Sequence, residues 1–212
     1  MSIRLSRIAF PITTLGPGRY FGLWVQGCSI GCPDCISRDT WDKHGGSLAD
    51  EKWLSDYIVG TVIGENLEGV VITGGEPTEQ AYSLEQVLAS VIKALPNISI
   101  VLYSGVSREE LLTNHSGLAS FVDLAICGPY ISDNPSQRPL IASDNQQYAI
   151  LSNRGDKLIA RVSEMGVIGS IQVAVDGDNI TMAGLPFPHG MELLERELQK
   201  KGIVLSEVSW KR

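Results

Sequence analysis

Residues 68–77, Glu68-Gly-Val-Val-Ile-Thr-Gly-Gly-Glu-Pro77, decide how the rest of the sequence is interpreted. The short apolar run is typical of a buried strand, and the glycine pair after it indicates a loop. Downstream, apolar residues from Leu84 to Leu95 recur at helical spacing, and Pro96 ends that pattern. A buried strand followed by an amphipathic helix is the repeating unit of a parallel sheet with helices outside it.

The same alternation extends in both directions along the chain. We predict a helix with Ser47 as its N-cap and with Leu48, Leu54, Ile58 and Val62 on one face. A short helix is predicted at 108–114, and a long polar loop with three prolines is predicted at 128–145. Strands are predicted at 3–10, 20–26, 68–73, 98–103, 121–126 and 147–151.

The pattern changes after Leu151. A hairpin is predicted over 170–184, then a helix with Met191, Leu194 and Leu198 on its apolar face, and a strand at 203–208. We therefore predict two parts, an α/β core over 1–151 and a small C-terminal ββαβ-like appendage over 152–212.

Composition and charge narrow the function classes. The 212 residues fit one domain with additions, and 43% of them are apolar. The formal net charge of −7 disfavours nucleic acid as a partner, because a phosphate backbone attracts basic surfaces. No apolar run is long enough to span a membrane, and no apolar segment follows the N-terminal charges as in a secretory signal. We therefore expect a cytoplasmic protein, which keeps its thiols reduced.

Three of the four cysteines, Cys28, Cys32 and Cys35, crowd into eight residues with the spacing C-x3-C-x2-C. In a reducing compartment such clustering favours metal binding or catalysis over disulfides. Three cysteines suit a cubane iron–sulfur cluster that keeps one iron open for another ligand. A zinc knuckle completed by His44 or Cys127, and unligated thiols, are the alternatives.

The second motif, Thr73-Gly-Gly-Glu-Pro77, stands at the carboxyl end of a predicted strand. Ligands of open α/β folds bind outside the carboxyl ends of the strands. Two glycines allow backbone to approach a small ligand, and Glu76 offers an acceptor for an ammonium group. The alternative is an ordinary Gly-Gly turn followed by proline.

In combination, the two motifs resemble those of the radical S-adenosylmethionine (SAM) superfamily. The segments around them narrow the resemblance to the activating proteins of anaerobic (class III) ribonucleotide reductase. These segments, spread between Leu15 and Leu151, are Gly16-Pro-Gly-Arg19, Trp24-Val-Gln-Gly-Cys28, Thr40-Trp41, Leu102-Tyr-Ser-Gly105 and Gly128-Pro-Tyr-Ile131.

The resemblance implies a partial, open (β/α)6-type barrel. It implies a 4Fe–4S cluster on Cys28, Cys32 and Cys35, with SAM bound to the open iron. One electron would then cleave SAM to methionine and a 5′-deoxyadenosyl radical, which would take a hydrogen atom from a glycine of the partner protein. Residues matched to SAM contacts are Asp34, Cys35 and Ile36 near the adenine, Gly74, Gly75 and Glu76 near the methionine, and Ser104 and Asp123 at strand ends expected on the same rim.

The implied partners are a glycyl radical enzyme subunit and a flavodoxin- or ferredoxin-type electron donor. The chain departs from the family pattern at Asp34, where many members carry an aromatic residue, and at Cys127, where activating proteins commonly carry an acid. Two other functions remain open, a radical SAM enzyme acting on a small molecule or ribosomal peptide, and a non-catalytic metal-binding interaction module.

Overall fold

A computed structural model describes residues 1–166, 170–187, 189–206 and 208–210. It contains a seven-stranded sheet with the strand order β3-β1-β2-β4-β5-β6-β7, and a separate two-stranded hairpin, β8-β9. The strands are β1 Ser2–Ile12, β2 Tyr20–Val25, β3 Ser47–Asp50, β4 Gly69–Gly74, β5 Ser99–Ser104, β6 Leu124–Cys127, β7 Gln147–Ile150, β8 Ile171–Asp176 and β9 Asn179–Gly184. The helices are α1 Glu51–Gly64, α2 Ala81–Ala94, α3 Arg108–Asn114, α4 Ser116–Ala119, α5 Asn153–Glu164 and α6 Gly190–Lys200.

The four central strands, β2, β4, β5 and β6, are parallel to one another. β2 is buried at all six positions, as expected for a strand covered on both faces. The flanking strands β1, β3 and β7 are antiparallel to their neighbours. These observations confirm the α/β class, whereas the six-unit barrel stays a prediction.

Apolar side chains form a core on each face of the sheet. On one face, α1 and α2 pack through residues such as Leu54, Ile58, Leu84 and Leu88. The opposite core includes Tyr20, Trp24 and Val71 from the sheet, together with Leu158 and Val162 from α5. Helix α5 was not predicted, although Ser152 caps it and its buried apolar side chains, Leu158 and Val162, stand four positions apart.

The predicted start of the first helix is wrong. Residues 47–50 form strand β3, which pairs with Ser2–Leu5 of β1. Asp50 is the N-cap instead of Ser47, because its side chain accepts the Trp53 N–H. Leu48, expected on the buried helix face, is 63% exposed. Edge pairing with β1 therefore overrides the helical spacing of Leu48.

The C-terminal part agrees with the prediction except for helix α5, which was not predicted, and for the last strand. The hairpin forms as β8 and β9, with Asp176 paired to Asn179 next to the turn. Helix α6 also forms, and Met191 is its buried residue. The strand predicted over 203–208 is wrong for residues 203–206 and 208, which have no strand structure, and residue 207 lies outside the described residues. The division of the chain at Leu151 stays a prediction.

Candidate functional site

The carboxyl ends of the parallel strands border an open cleft of about 1080 Å³, including its mouth. Ligands of open α/β folds bind at this edge of the sheet, so the cleft lies where a cofactor is expected. Both sequence motifs contribute to its lining, which comprises Leu15, Trp24, Cys28, Ile30, Cys32, Cys35, Ile36, Ser37, Trp41, Thr73, Gly74, Gly75, Glu76, Tyr103, Ser104, Gly105, Gly128, Tyr130, Ala142, Gln146, Met182, Ala183, Gly184, Leu185 and Pro186.

The cysteine loop leaves β2 and is held at both ends by backbone hydrogen bonds. Cys28 N–H donates to the Trp41 carbonyl over 3.2 Å, and Cys35 N–H donates to the Cys32 carbonyl over 3.2 Å. Between them, Gly31 has a φ of +61° and Asp34 a φ of +60°. These left-handed residues turn the chain back on itself, and as a result all three thiol-bearing residues line the cleft.

The three thiols are free and partly exposed. Burial raises the pKa of the Cys28 and Cys35 thiols, although Cys35 Sγ accepts an N–H from Ser37 over 3.4 Å. Within the described residues, no three His, Cys, Asp or Glu side chains converge closely enough for a single metal ion. A cubane cluster is larger than one ion and its thiolate ligands stand farther apart, so three cysteines around one cleft fit such a cluster.

The fold itself requires glycine at positions 74 and 75. Gly75 N–H donates to the Val25 carbonyl over 2.8 Å, which ties the end of β4 to the end of β2. A Cβ atom on Gly75 would lie 2.1 Å from the Gly27 carbonyl oxygen, and Gly74 has a φ of +106°. The glycines therefore allow two backbones to approach each other at the base of the cysteine loop.

Glu76 lies on the floor of the cleft and is 3% exposed. Its Oε1 accepts hydrogen bonds from Thr78 N, Thr78 Oγ1 and Ser104 Oγ at 3.0, 2.7 and 2.7 Å. Among the described residues, its Oε2 accepts only the Gly105 N–H, at 2.7 Å. A carboxylate oxygen can accept more than one hydrogen bond, so Oε2 retains the capacity to bind a ligand cation or N–H group.

Most of the predicted site residues meet at this cleft. Cys35, Ile36 and Ser104 join Gly74, Gly75 and Glu76 in its lining, as do Cys28 and Cys32. Asp34 does not line the cleft. Its side chain is 67% exposed and accepts the Ser132 hydroxyl over 2.8 Å.

The prediction that Asp123 shares this rim is wrong. Asp123 precedes β6, because that strand begins at Leu124 rather than at 121. It accepts Ile100 N–H over 2.8 Å at the start of β5, and it pairs with Arg154 of α5 over 3.2 Å. Asp123 therefore lies at the amino edge of the sheet, the edge opposite the cleft.

Cys127 is a buried thiol in the core on the α1–α2 face and does not line the cleft. Burial, with a smaller contribution from the Glu76 carboxylate and against an opposing one from Arg108, raises its pKa to about 11. His44, the other candidate fourth ligand, is exposed and does not line the cleft.

Sequence reasoning missed one wall of the cleft. Residues 182–186, from the end of hairpin strand β9 and the segment after it, line the cleft together with the cysteines. Tyr130, quoted above only as part of a flanking motif, also lines it. The hairpin itself was predicted, but no local signal indicates where a hairpin docks.

Comparison with known proteins identifies the family. A model of the 4Fe-4S single cluster domain matches residues 14–149, which is most of the chain before α5. The chain belongs to this family. The iron–sulfur interpretation of the cysteine motif is therefore confirmed at the level of the family, whereas the ligand set itself remains to be tested.

Curated relatives of this 4Fe-4S single cluster protein carry the names of activating proteins. The chain is 26% identical to the anaerobic ribonucleoside-triphosphate reductase-activating protein of Vibrio cholerae over 129 residues, 58% of this chain and 83% of the relative. It is 22% identical to the protein of that name from Escherichia coli K12, covering 56% and 79%. It is also 39% identical over 71 residues to the E. coli pyruvate formate-lyase 1-activating enzyme, covering 32% and 29%. These matches confirm the resemblance to radical SAM activating proteins.

Among the described residues, none of the helices combines the length and the apolar character needed to cross a membrane.

Proposed function

We propose that this protein is a radical SAM enzyme that generates a glycyl radical on an anaerobic ribonucleotide reductase. The observation that carries the proposal is the shared cleft, in which the three cysteines of the 4Fe-4S family member and the Gly-Gly-Glu turn line one space. A cluster site next to a polar ligand site is what reductive cleavage of a bound cofactor requires.

Cys28, Cys32 and Cys35 would hold the cluster, and the loop that carries them supports this role. Its base is fixed by the Trp41 carbonyl on one side and by Glu79 on the other, since Glu79 accepts the Ser29 N–H over 2.6 Å. Such anchoring holds thiolate ligands in position before the cluster binds. When bound, a reduced 4Fe–4S cluster supplies the single electron that cleaves SAM into methionine and a 5′-deoxyadenosyl radical.

Gly74, Gly75 and Glu76 would bind the methionine end of SAM. Glu76 Oε2 has the free acceptor capacity that an ammonium group needs, and Ser104 holds the other carboxylate oxygen in place. Ile36 lies beside Cys35 in the lining and supplies an apolar surface for the adenine. In this arrangement the four parallel strands form the working part of an open radical SAM barrel.

The partner is proposed from the relatives, whose names state that they activate anaerobic ribonucleoside-triphosphate reductase. The substrate would be a backbone glycine of that reductase, which loses one hydrogen atom from Cα and becomes a glycyl radical. The electron would come from a flavodoxin- or ferredoxin-type donor. We propose a cytoplasmic setting, since both the cluster and such donors require reducing conditions.

An electron paramagnetic resonance experiment tests this proposal. Anaerobically reconstituted, dithionite-reduced protein is mixed with SAM and the anaerobic reductase subunit from the same source, and 5′-deoxyadenosine is measured in parallel. We expect a glycyl doublet with the wild type and none with Cys32→Ala.

The other outcomes of this experiment are equally informative. Deoxyadenosine without a doublet would retain the radical SAM chemistry and redirect the search to small molecules or ribosomal peptides. A protein that binds a cluster but never cleaves SAM would be a non-catalytic iron–sulfur module.

A further inference from the structure

The C-terminal hairpin gives this chain a cleft wall that lies outside the family match. The match ends at residue 149, whereas residues 182–186 line the cleft. Ala183 is 5% exposed and belongs to the same apolar core as Leu15 and Trp24, which also line the cleft. The end of β9 is therefore part of the packed structure next to the candidate site.

Side-chain hydrogen bonds fix this wall to the end of β1 and to the loop after it. Gln172 Nε2 donates to the Pro11 carbonyl over 2.6 Å, and Gln172 Oε1 accepts the Thr13 N–H over 3.1 Å. Thr14 Oγ1 donates to the Ala183 carbonyl over 2.9 Å. Because these bonds connect both hairpin strands to the core, the wall is held in place before any ligand binds.

The charge of the lining narrows what can bind against the wall. Among the described residues that line the cleft, Glu76 is the sole charged side chain apart from ionisable thiols, and none is Lys, Arg or His. Phosphate and carboxylate groups are normally bound by Arg or Lys, and an unpaired anion is costly to bury. The side chains that the wall adds, Met182, Ala183, Leu185 and Pro186, are all apolar.

We infer that Met182 and Leu185 form a specificity wall that contacts the substrate and admits a short uncharged polypeptide segment while disfavouring anionic small molecules. The inference rests on the proposed function, since a glycine segment is such a substrate. A neutral backbone with small side chains loses little hydration against this surface, whereas an anion on the cleft side finds no Lys, Arg or His among the described residues of the lining.

Binding of a peptide tests the wall separately from the radical chemistry. The probe is a short synthetic peptide spanning the radical-site glycine of the reductase subunit, with its charged side chains replaced by Ser. Its Kd for the cluster- and SAM-loaded protein is measured by fluorescence anisotropy. We expect Leu185→Asp to raise that Kd about tenfold, because the variant places a charge against the bound segment.

Because Leu185 packs against the apolar core, two matched variants and a Lys-containing peptide are used together to separate contact from misfolding. Val175→Asp adds the same charge to the same hairpin at a position that is 70% exposed and outside the cleft lining, and it should leave the Kd within about twofold of wild type. Met182→Gln keeps the side-chain length and should raise the Kd about threefold. A peptide carrying Lys beside the glycine should regain affinity for Leu185→Asp and lose it for the wild type.

Three results would overturn the inference. The first is a wild type that does not bind the Ser-substituted peptide. The second is an equal loss of peptide affinity in the Leu185→Asp and Val175→Asp variants. The third is a Kd of SAM, measured by calorimetry, that rises in Leu185→Asp as much as the Kd of the peptide does. The last result would assign the wall to the cofactor. Peptide binding that depends on Leu185 without a glycyl doublet would retain the wall and reject the proposed activation of the reductase.

Discussion

Two buried carboxylates lie at opposite edges of the sheet. Glu76 is 3% exposed and follows β4 at the carboxyl edge, whereas Asp123 is 4% exposed and precedes β6 at the amino edge. Asp123 uses its oxygens within the protein, on Ile100 N, Ser152 Oγ and Arg154. Glu76 has no ion-pair partner among the described residues and lines the cleft. The comparison teaches that position in a parallel sheet, more than burial or residue type, separates a carboxylate available to a ligand from one that stabilises the fold.

The strongest test of this comparison is at the carboxyl edge. Cys32→Ala should lose essentially all bound iron after anaerobic reconstitution, because a cubane cluster held by two thiolates is poorly retained. Iron and sulfide analysis with visible absorbance measures this loss. Cys127→Ala is the control and should keep about four irons, since Cys127 lies outside the cleft. Iron loss in Cys127→Ala would contradict the proposed ligand set.

A substitution at the amino edge should lower the stability of the fold and leave the iron content unchanged. Asp123→Ala removes the acceptor of a buried backbone N–H and the partner of Arg154. We expect the free energy of unfolding to fall by about 3 kcal/mol, measured by urea denaturation of the apoprotein. Iron bound per folded chain should not change. Asp156→Ala, an exposed substitution in helix α5, which carries Arg154, should cost less than about 1 kcal/mol, the usual contribution of an acid in a first helical turn. If Asp123→Ala kept wild-type stability but bound less iron, Asp123 would belong to the cluster site and not to the residues that stabilise the fold.

Cys127, at the carboxyl edge, should make the free energy of unfolding depend on pH. Its folded pKa of about 11 exceeds the ordinary value of 9.0 because the thiol is buried. The unfolded chain therefore loses this proton first, and the stability that the protonated thiol contributes is full below about pH 9 and declines towards pH 11. Once the pH is above both pKa values, Cys127 should have lowered the free energy of unfolding by about 2–3 kcal/mol.

Urea denaturation of the apoprotein between pH 8 and about pH 11 measures this decline. Cys127→Ala should show a shallower fall than wild type over the same interval, whatever its stability at neutral pH. Parallel curves for the two proteins would mean that the folded thiol titrates normally.

Glu76→Gln should give the smallest effect of the set. The amide keeps the shape of the side chain but turns an –NH2 group towards one of the present donors, so the free energy of unfolding should fall by about 1–2 kcal/mol. The Kd of SAM for the cluster-loaded protein should rise about tenfold through loss of a charged acceptor for the ammonium group. Glu109→Gln, an exposed change in α3, is the control. An unchanged Kd of SAM would mean that Glu76, like Asp123, stabilises the fold and does not bind SAM.

The sequence predicted the central strands and the α2 helix well because their signals are local. A run such as Gly69–Thr73 is apolar on both faces, and the buried positions of α2 follow helical spacing. Ser104 and Asp123 show where local signals end. Both are polar residues at a strand end, but Ser104 is the last residue of β5 whereas Asp123 stands just before β6, at the opposite edge.

The sequence by itself determined the two motifs on which the proposed chemistry depends, since three cysteines at short spacing and a Gly-Gly-Glu turn after a buried strand are properties of neighbouring residues. Only the tertiary structure decided what surrounds that chemistry. It packed α5 against the sheet, moved Asp123 away from the cleft and placed residues 182–186 beside the cysteines. Such placements depend on contacts between distant segments, from Asp123 with Arg154, 31 residues apart, to Gln172 with Thr13, 159 residues apart, and hydrophobic periodicity carries no information about them.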